Sequence, residues 1–423
     1  LEKAYELSLQ KACQSFSQCM GNSFRQTVAG IFSDARMNEQ VMLSSHIIAT
    51  AERAKSTEGE YLIACQDTTF YNYTGHKQME GLGKLQGGIL GILQHNVLLT
   101  SDKGVPLGLI DQQYWSRQSA VAFDGKESLK WERGLQAVND RLAATGKKVV
   151  VVQDREADIF SFFKYPRASD TEMLVRVHQP RNLEVAASGE VSKLAGLRET
   201  MPPVGQKAVS ISRDGKEVTL TLSVQACKVH VLPDKGRSAS KHKTQELSLV
   251  IARETAAKDS KDNDVFDADK AALWYLLTSL PIDSQQDIER VVAFYCLRWR
   301  VERLHFTMKS GALDVEKLQF DDVQTTINAL SFYSIVAWQL LAITYVFRQN
   351  QDAPAQTVFE QNEVRLLEKI DKKPIKTVKE AVLALAKIVG FAKSKRQPLP
   401  GVKVLAQAFE RFYYIKLGSI IDH

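Results

Sequence analysis

Tyr295, Arg298, Glu302 and Lys309 stand at successive offsets of three, four and seven in the segment YCLRWRVERLHFTMKSG, which has no proline and no glycine before Gly311. That spacing predicts one uninterrupted helix on which the four side chains share an arc of about 60°, with His305 just outside it. Phe294, Leu297, Val301, Leu304 and Met308 fall on another face and can seat the helix in a core. A carboxylate flanked by two cations and a phenol is suited to handling phosphate. A solvated face laced by i,i+4 ion pairs has the same pattern, so other segments must decide between the two.

Two aspartates bear on that choice. Asp154 follows the apolar run VVVV at 149–152 after a single residue, Gln153, and precedes READIFSFF, which reads as helical. It is therefore expected at the carboxyl end of a strand, where α/β sheets gather functional groups; capping the following helix would also account for it. Asp67 lies in LIACQDTTFYNY, in phase with Ile63 and Cys65. Aspartate is depleted from strands and costly when buried alone, which favours a metal ligand over a water-facing edge position. Glu302 supplies a third carboxylate from the helix. Mg²⁺, or Mn²⁺ in its place, takes oxygen ligands, and two such ions can activate an attacking oxygen and stabilise a leaving one at phosphorus. Arg298 can fork onto a phosphate, and Lys309 acts as a point charge.

The 423 residues allow two or three domains, and a composition 44% hydrophobic and 25% charged is that of an ordinary globular chain. A net charge of +6 is compatible with nucleic-acid binding without requiring it. Cysteines 13, 19, 65, 227 and 296 form no CxxC pair and no zinc spacing, which points to a reducing, intracellular compartment. The apolar stretch at 331–347 contains Gln339 and several hydroxyl residues and is expected to be a buried core helix rather than a membrane span. The chain begins at Leu1 with LEKAYELSLQKA, which reads like the middle of a helix, so residues upstream are expected.

Helical periodicity covers residues 1–57, and strands begin at Tyr61 as an antiparallel meander turning at Ser101-Asp102-Lys103-Gly104. KESLKWERGLQAVNDRLAATG reads as an amphipathic helix closed by Gly146, and KKVVVVQD as a strand buried on both faces. Residues from about 171 to 265 read as a β-rich insertion with a hairpin at Asp214-Gly215 and a polar loop in PDKGRSASKHKTQE. ALWYLLTSL returns to a core strand. Beyond Gln349 the chain is helical, with basic patches at 369–379 and 393–396.

Three motifs, DTT beginning at Asp67, DREAD at 154–158 and the Tyr295, Arg298, Glu302, Lys309 signature with its intervening RWR, resemble those of bacterial cut-and-paste transposases of the DDE type, in the insertion-sequence-four group. The resemblance runs from near Gly21 to about Gly418. It implies an α/β fold: a ribonuclease-H-like mixed-sheet catalytic core over 58–350 with the β-rich insertion, a helical remnant of a DNA-end-binding region over 1–57, and a helical dimerisation region over 351–423. Asp67, Asp154 and Glu302 would be the catalytic, metal-binding triad of a two-ion Mg²⁺ site. Tyr295, Arg298 and Lys309 would contact transposon-end phosphates, Trp274 would stack a flipped base, and His305 and Arg176 would be further DNA-site groups. Trp274 also suits a packed tryptophan in a strand, and His305 and Arg176 also suit structural places. The implied chemistry is nicking, hairpin formation and opening, and strand transfer into target DNA. The implied partners are DNA and a second copy of the chain in a synaptic homodimer, with no membrane, in the bacterial cytoplasm beside the nucleoid. Two other functions stay open: a truncated or domesticated derivative that binds DNA or inhibits an intact partner, and a nuclease without strand transfer.

Overall fold

The computed structural model describes residues 1–76, 78–119, 121–213, 216–233, 243–394 and 399–421. Among them one mixed sheet of twelve strands organises the chain. In chain order these are β1 (Tyr61–Asn72), β2 (Gly83–Lys84), β3 (Leu90–Ser101), β4 (Pro106–Trp115), β5 (Lys148–Gln153), β6 (Thr171–Val177), β7 (Asn182–Val185), β8 (Val191–Lys193), β9 (Gly205–Arg213), β10 (Lys216–Val231), β11 (Leu247–Asp259) and β12 (Leu273–Thr278). The fold is mixed α/β, and most strand pairs are antiparallel.

β1 pairs antiparallel with β3, and β3 with β4, which is the expected meander turning at Gly104. On its other side β1 pairs parallel with β5, and β5 parallel with β6. The link from β4 to β5 runs through the Leu129–Leu142 helix, closed by a short turn and by Gly146 in the left-handed conformation at φ +67°. β5 is buried along Val149, Val150, Val151 and Val152, as a strand with helices over both faces must be.

Two sequence expectations change here. The Thr171–Val177 strand, placed at the start of an insertion, lies beside β5 in the sheet, and β12 then joins β6 to β11, so the later strands prolong the same sheet. READIFSFF is not one helix. It forms a single turn at Arg155–Ala157 and a four-residue helix at Phe160–Phe163. Between them Asp158 is turned inward, accepting from the backbone N–H groups of His178 (2.9 Å) and Gln179 (2.7 Å) and from Arg181 Nε (2.5 Å), and those bonds replace helix propagation. The Asp214-Gly215 hairpin, most of the PDKGRSASKHKTQE loop and part of the basic patch at 393–396 lie outside the described residues; β9 and β10 flank the first of these and pair antiparallel.

The two sheet faces carry separate cores. Leu62, Ala64, Val149, Val151, Met173 and Val175 pack under the Leu129–Leu142 helix through Trp131, Leu135 and Val138. Ile63, Cys65, Val150, Val152, Leu174 and Leu276 face the opposite way, toward helices Gln285–Leu297, Trp299–Phe306 and Val323–Gln349. By length and composition Val323–Gln349 could cross a membrane, but 72% of its most apolar window is buried inside the fold, where it serves as a core helix. Helices Gln361–Asp371, Val378–Lys387 and Val402–Ile421 close a smaller core with Phe347, Phe359, Leu367 and Leu385.

β4 is bulged against β3 near its start, which leaves backbone groups without ladder partners. Side chains take them: Leu109 N donates to His46 Nε2 (2.9 Å), Arg53 Nε donates to Leu107 O (2.6 Å) and Trp338 Nε1 donates to Pro106 O (3.2 Å). Gly108 permits this close approach, since a Cβ there would lie 1.9 Å from Thr50 Oγ1. His46 must stay neutral to accept, and burial, aided by the Arg53 charge, pushes its pKa down to about 3.

A histidine with a depressed folded pKa gives its full stabilisation above the unfolded value near 6.5 and loses it as pH falls from there toward 3. Between pH 8 and pH 5 the loss should be about 2 kcal/mol. His46→Gln keeps an acceptor but does not titrate, so urea unfolding should show a flatter pH dependence for the variant. Parallel curves for the two proteins would contradict this.

Candidate functional site

Strand register assembles one transverse row of polar side chains. Asp67 of β1 pairs with Asn96 of β3, which pairs with Gln112 of β4. On the other side Cys65, Val152 and Leu174 are cross-strand neighbours of β1, β5 and β6. Two residues further along each chain, on the same face, come Asp67, Asp154 and Arg176. Asp154 has just left β5, and its extended backbone carries on the strand direction. Arg176 pairs with Leu276 of β12, two residues from Trp274 on that face.

The segment over this row begins with a capping box at Ser284 and Asp287. The single helix expected from sequence is interrupted twice. At Arg298 the hydrogen bonds tighten, with Arg298 N donating to Tyr295 O (3.1 Å) and Val301 N to Arg298 O (3.2 Å). The cause is local: Cys65 Sγ donates to Leu297 O (3.3 Å), so a sheet side chain takes a carbonyl of the helical ladder. At Thr307–Gly311 the backbone widens into a π-helical turn, with Thr307 O accepting from Ala312 N and Leu313 N. Such a turn rotates every later side chain out of phase. Lys309 lies within this turn, and among the described residues no ion pair joins it to Glu302. Its Nζ donates to Phe70 O (2.8 Å), stacks on the Phe70 ring (4.5 Å) and lies 3.9 Å from Glu316.

Arg298 is the centre of the remaining group. Its guanidinium pairs with Glu302 Oε1 and lies 3.8 Å from Asp67 Oδ1, with only 12% of the side chain exposed. Burial opposes its charge, yet Tyr295, Glu302, Asp67 and Asp154 together hold its pKa above the ordinary value. Asp67 also experiences burial, but His305, Arg298 and His95 outweigh it and keep this carboxyl below its usual range. Asp154 and Glu302 are pushed up, by burial first and by the neighbouring charge of Asp67 as well. One oxygen of Asp154 accepts from Glu156 N (2.8 Å), so capping and facing the site coexist.

His305 is held from both sides. Nδ1 is 3.5 Å from Asp67 Oδ2, and Nε2 accepts from Asn96 Nδ2 at 2.9 Å, which leaves a ring proton on Nδ1 toward the carboxylate. Asn96 Oδ1 accepts from Gln112 Nε2 (2.6 Å), and Gln112 Oε1 from the Tyr114 hydroxyl (3.1 Å). Sequence reasoning did not single out Asn96 and Gln112. Their signal was a run of three polar residues, QHN at 94–96 and DQQ at 111–113, in strands that are otherwise largely apolar.

Tyr295 is 6% exposed, with Arg176 and Arg298 against its hydroxyl and Trp274 edge-on at 5.3 Å. The structure thus brings Asp67, Glu302, Arg298 and His305 into direct reach, sets Asp154 beside them, and gathers Tyr295, Arg176 and Trp274 at the margin. The carboxylate donors are of the type that suits Mg²⁺ or Mn²⁺. Among the described residues no three His, Cys, Asp or Glu side chains already enclose a metal-sized point. Arg298 engages Asp67 and Glu302 instead.

Asn96→Leu should leave His305 Nε2 and Gln112 Nε2 unpaired in a buried place, at a cost of about 1–3 kcal/mol. Urea unfolding measures the cost, and ¹⁵N spectra of His305 should show the loss of a single tautomer. An unchanged tautomer would contradict the assigned chain of bonds.

No protein-family model matches the chain. Among solved structures it is similar to a piggyBac transposase synaptic complex with hairpin DNA, at 11% identity and a TM-score of 0.37. The match covers 90% of this chain and 66% of that one, so the chain spans just under two thirds of that protein's length. At so low a TM-score the likeness carries no argument about fold or function.

Proposed function

We propose that the chain is a DDE transposase of the insertion-sequence-four group that cleaves DNA at transposon ends and joins them to target DNA. The observation that carries this reading is the row itself: Asp67 on β1 and Asp154 just past the end of the adjacent parallel β5, with Glu302 carried to them on a helix and joined to Asp67 through Arg298. The strand order β4-β3-β1-β5-β6, antiparallel on one side of β1 and parallel on the other, supports a ribonuclease-H-like core.

In this reading Asp67, Asp154 and Glu302 are the residues that would hold Mg²⁺. Bound there, the metal would supply activation of the attacking oxygen and stabilisation of the leaving one at phosphorus. Arg298, paired with Glu302, has the fork geometry that would also suit a phosphate of the DNA. His305, fixed by Asn96, orients Asp67. Trp274 offers a ring face to an unstacked base, with Tyr295 buttressing its edge. Lys309, anchored on Phe70, meets the DNA backbone beyond the carboxylates. A second copy of the chain, paired through the helices beyond Gln349, completes the synaptic complex.

The Arg298–Glu302 ion pair also favours a second reading, a derivative that binds DNA without cutting it. Two experiments separate them. Given Mg²⁺ or Mn²⁺ and DNA bearing its own terminal inverted repeats, the protein should nick at the repeat boundary, and Glu302→Ala should abolish nicking; undiminished cleavage by that variant would sink the enzymatic assignment. Mn²⁺ at a hundred times its dissociation constant should stabilise the protein by about 2.7 kcal/mol. Asp154→Asn should remove most of that gain, and a variant stabilised as much as wild type would exclude Asp154 as a ligand.

A further inference from the structure

A second cationic feature lies on the far side of the helix that carries Glu302. Arg300, Arg303 and Arg348 converge on Tyr345: the Arg300 guanidinium lies 4.2 Å and that of Arg348 5.7 Å from the ring centroid. Arg303 stacks on Phe306 at 4.4 Å, close enough to Arg348 and Arg300 that, after burial, their charges depress its pKa further. Among the described residues no carboxylate lies within ion-pair distance of Arg300, Arg303 or Arg348, whereas Arg298, one helix face away, is paired twice.

The cluster is held in place. Arg300 Nε donates to Gly104 O (3.0 Å), and Gln349 Nε2 donates to Lys103 O (2.9 Å), so the β3–β4 turn clamps both helices. Gly104 fits only without a side chain, since a Cβ would lie 2.7 Å from Leu297 Cδ2 and 3.0 Å from Arg300 Nη2. The Lys103 side chain on the same turn is directed to Glu58 instead, with its Nζ 4.0 Å from Glu58 Oε2. Three like charges held together by aromatic rings and backbone repel one another, and an anion spanning them removes that cost.

We propose that Arg300, Arg303 and Arg348 form a second binding surface for the phosphate backbone of duplex DNA, distinct from the carboxylate site. This rests on the reading of the chain as a DNA-processing enzyme. Arg303 lies roughly 100° around the helix from Glu302 and Arg300 roughly 160°, an arc on the order of 10–15 Å and comparable to one DNA groove. A duplex crossing the site can therefore reach the cluster with a neighbouring stretch of backbone. The contacts are to phosphate, so the surface is indifferent to sequence.

The test is fluorescence anisotropy with a 20-bp duplex of sequence unrelated to the element's ends, measured across a salt series on the full chain. Arg303→Ala with Arg348→Ala should weaken binding about tenfold and lower the slope of log K against log salt by about 2, one per arginine. Arg303→Lys with Arg348→Lys should retain the slope, which separates lost charge from lost structure. If the double alanine variant keeps wild-type affinity and slope, the second surface is overturned, while Glu302-dependent nicking still stands. A wild-type chain that binds no duplex overturns the surface and the DNA-processing reading together. Polyglutamate that binds as tightly as the duplex, through the same two arginines, overturns DNA as the occupant.

Discussion

Three carboxylates placed near one another and half removed from water repel unless a cation stands among them, and Arg298 is that cation. It pairs with Glu302, faces Asp67 and carries the influence of Asp154 and Tyr295. Much of the surrounding structure can be understood as holding this charge in place. The Cys65 thiol takes the Leu297 carbonyl and tightens the helix at the residue that must swing its guanidinium over the sheet. The chain from Tyr114 through Gln112 and Asn96 to His305 fixes the other oxygen of Asp67. A buried polar network of this kind costs free energy if any member is missing, so it also fixes the register of β1, β3 and β4.

Register is what converts residue types into a site. A one-residue slip between β1 and β5 would send Asp67 to the face packed by Trp131 and Leu135, away from Glu302. The parallel pairing of Cys65 with Val152 prevents that, because both belong to the core beneath the helix. The two faces also separate tasks. One carries the apolar support of the Leu129–Leu142 helix, and the other carries the polar row with the helices that cover it.

Part of this was legible in the sequence. Aspartate in the apolar strand LIACQD and after VVVVQ stands out because burial makes it expensive, and the helical period of residues 285–306 follows from its apolar spacing. The place of Lys309 was not legible. It depends on a π-helical turn whose carbonyl at Thr307 is shared by Ala312 and Leu313, a tertiary choice that periodicity does not encode. Asn96 and Gln112 were visible as residues but not as partners, since their meaning arises only once β3 and β4 are in register. Asp158 misled in the other direction: a residue ordinary within a helix instead satisfies two backbone donors and Arg181, and ends the helix. The arginine cluster around Tyr345 joins segments more than forty residues apart and had no sequence signal beyond its charge.

The central claim is that Asp67, Asp154 and Glu302 form one electrostatic unit around Arg298. Carboxyl ¹³C titration of the wild-type protein and of Arg298→Met tests it most directly. In the wild type Asp67 should titrate below, and Asp154 and Glu302 above, the ordinary carboxylate range. In the variant all three should move upward, because each loses the same positive neighbour. Three carboxyls that titrate at ordinary values and ignore the loss of Arg298 would contradict the account.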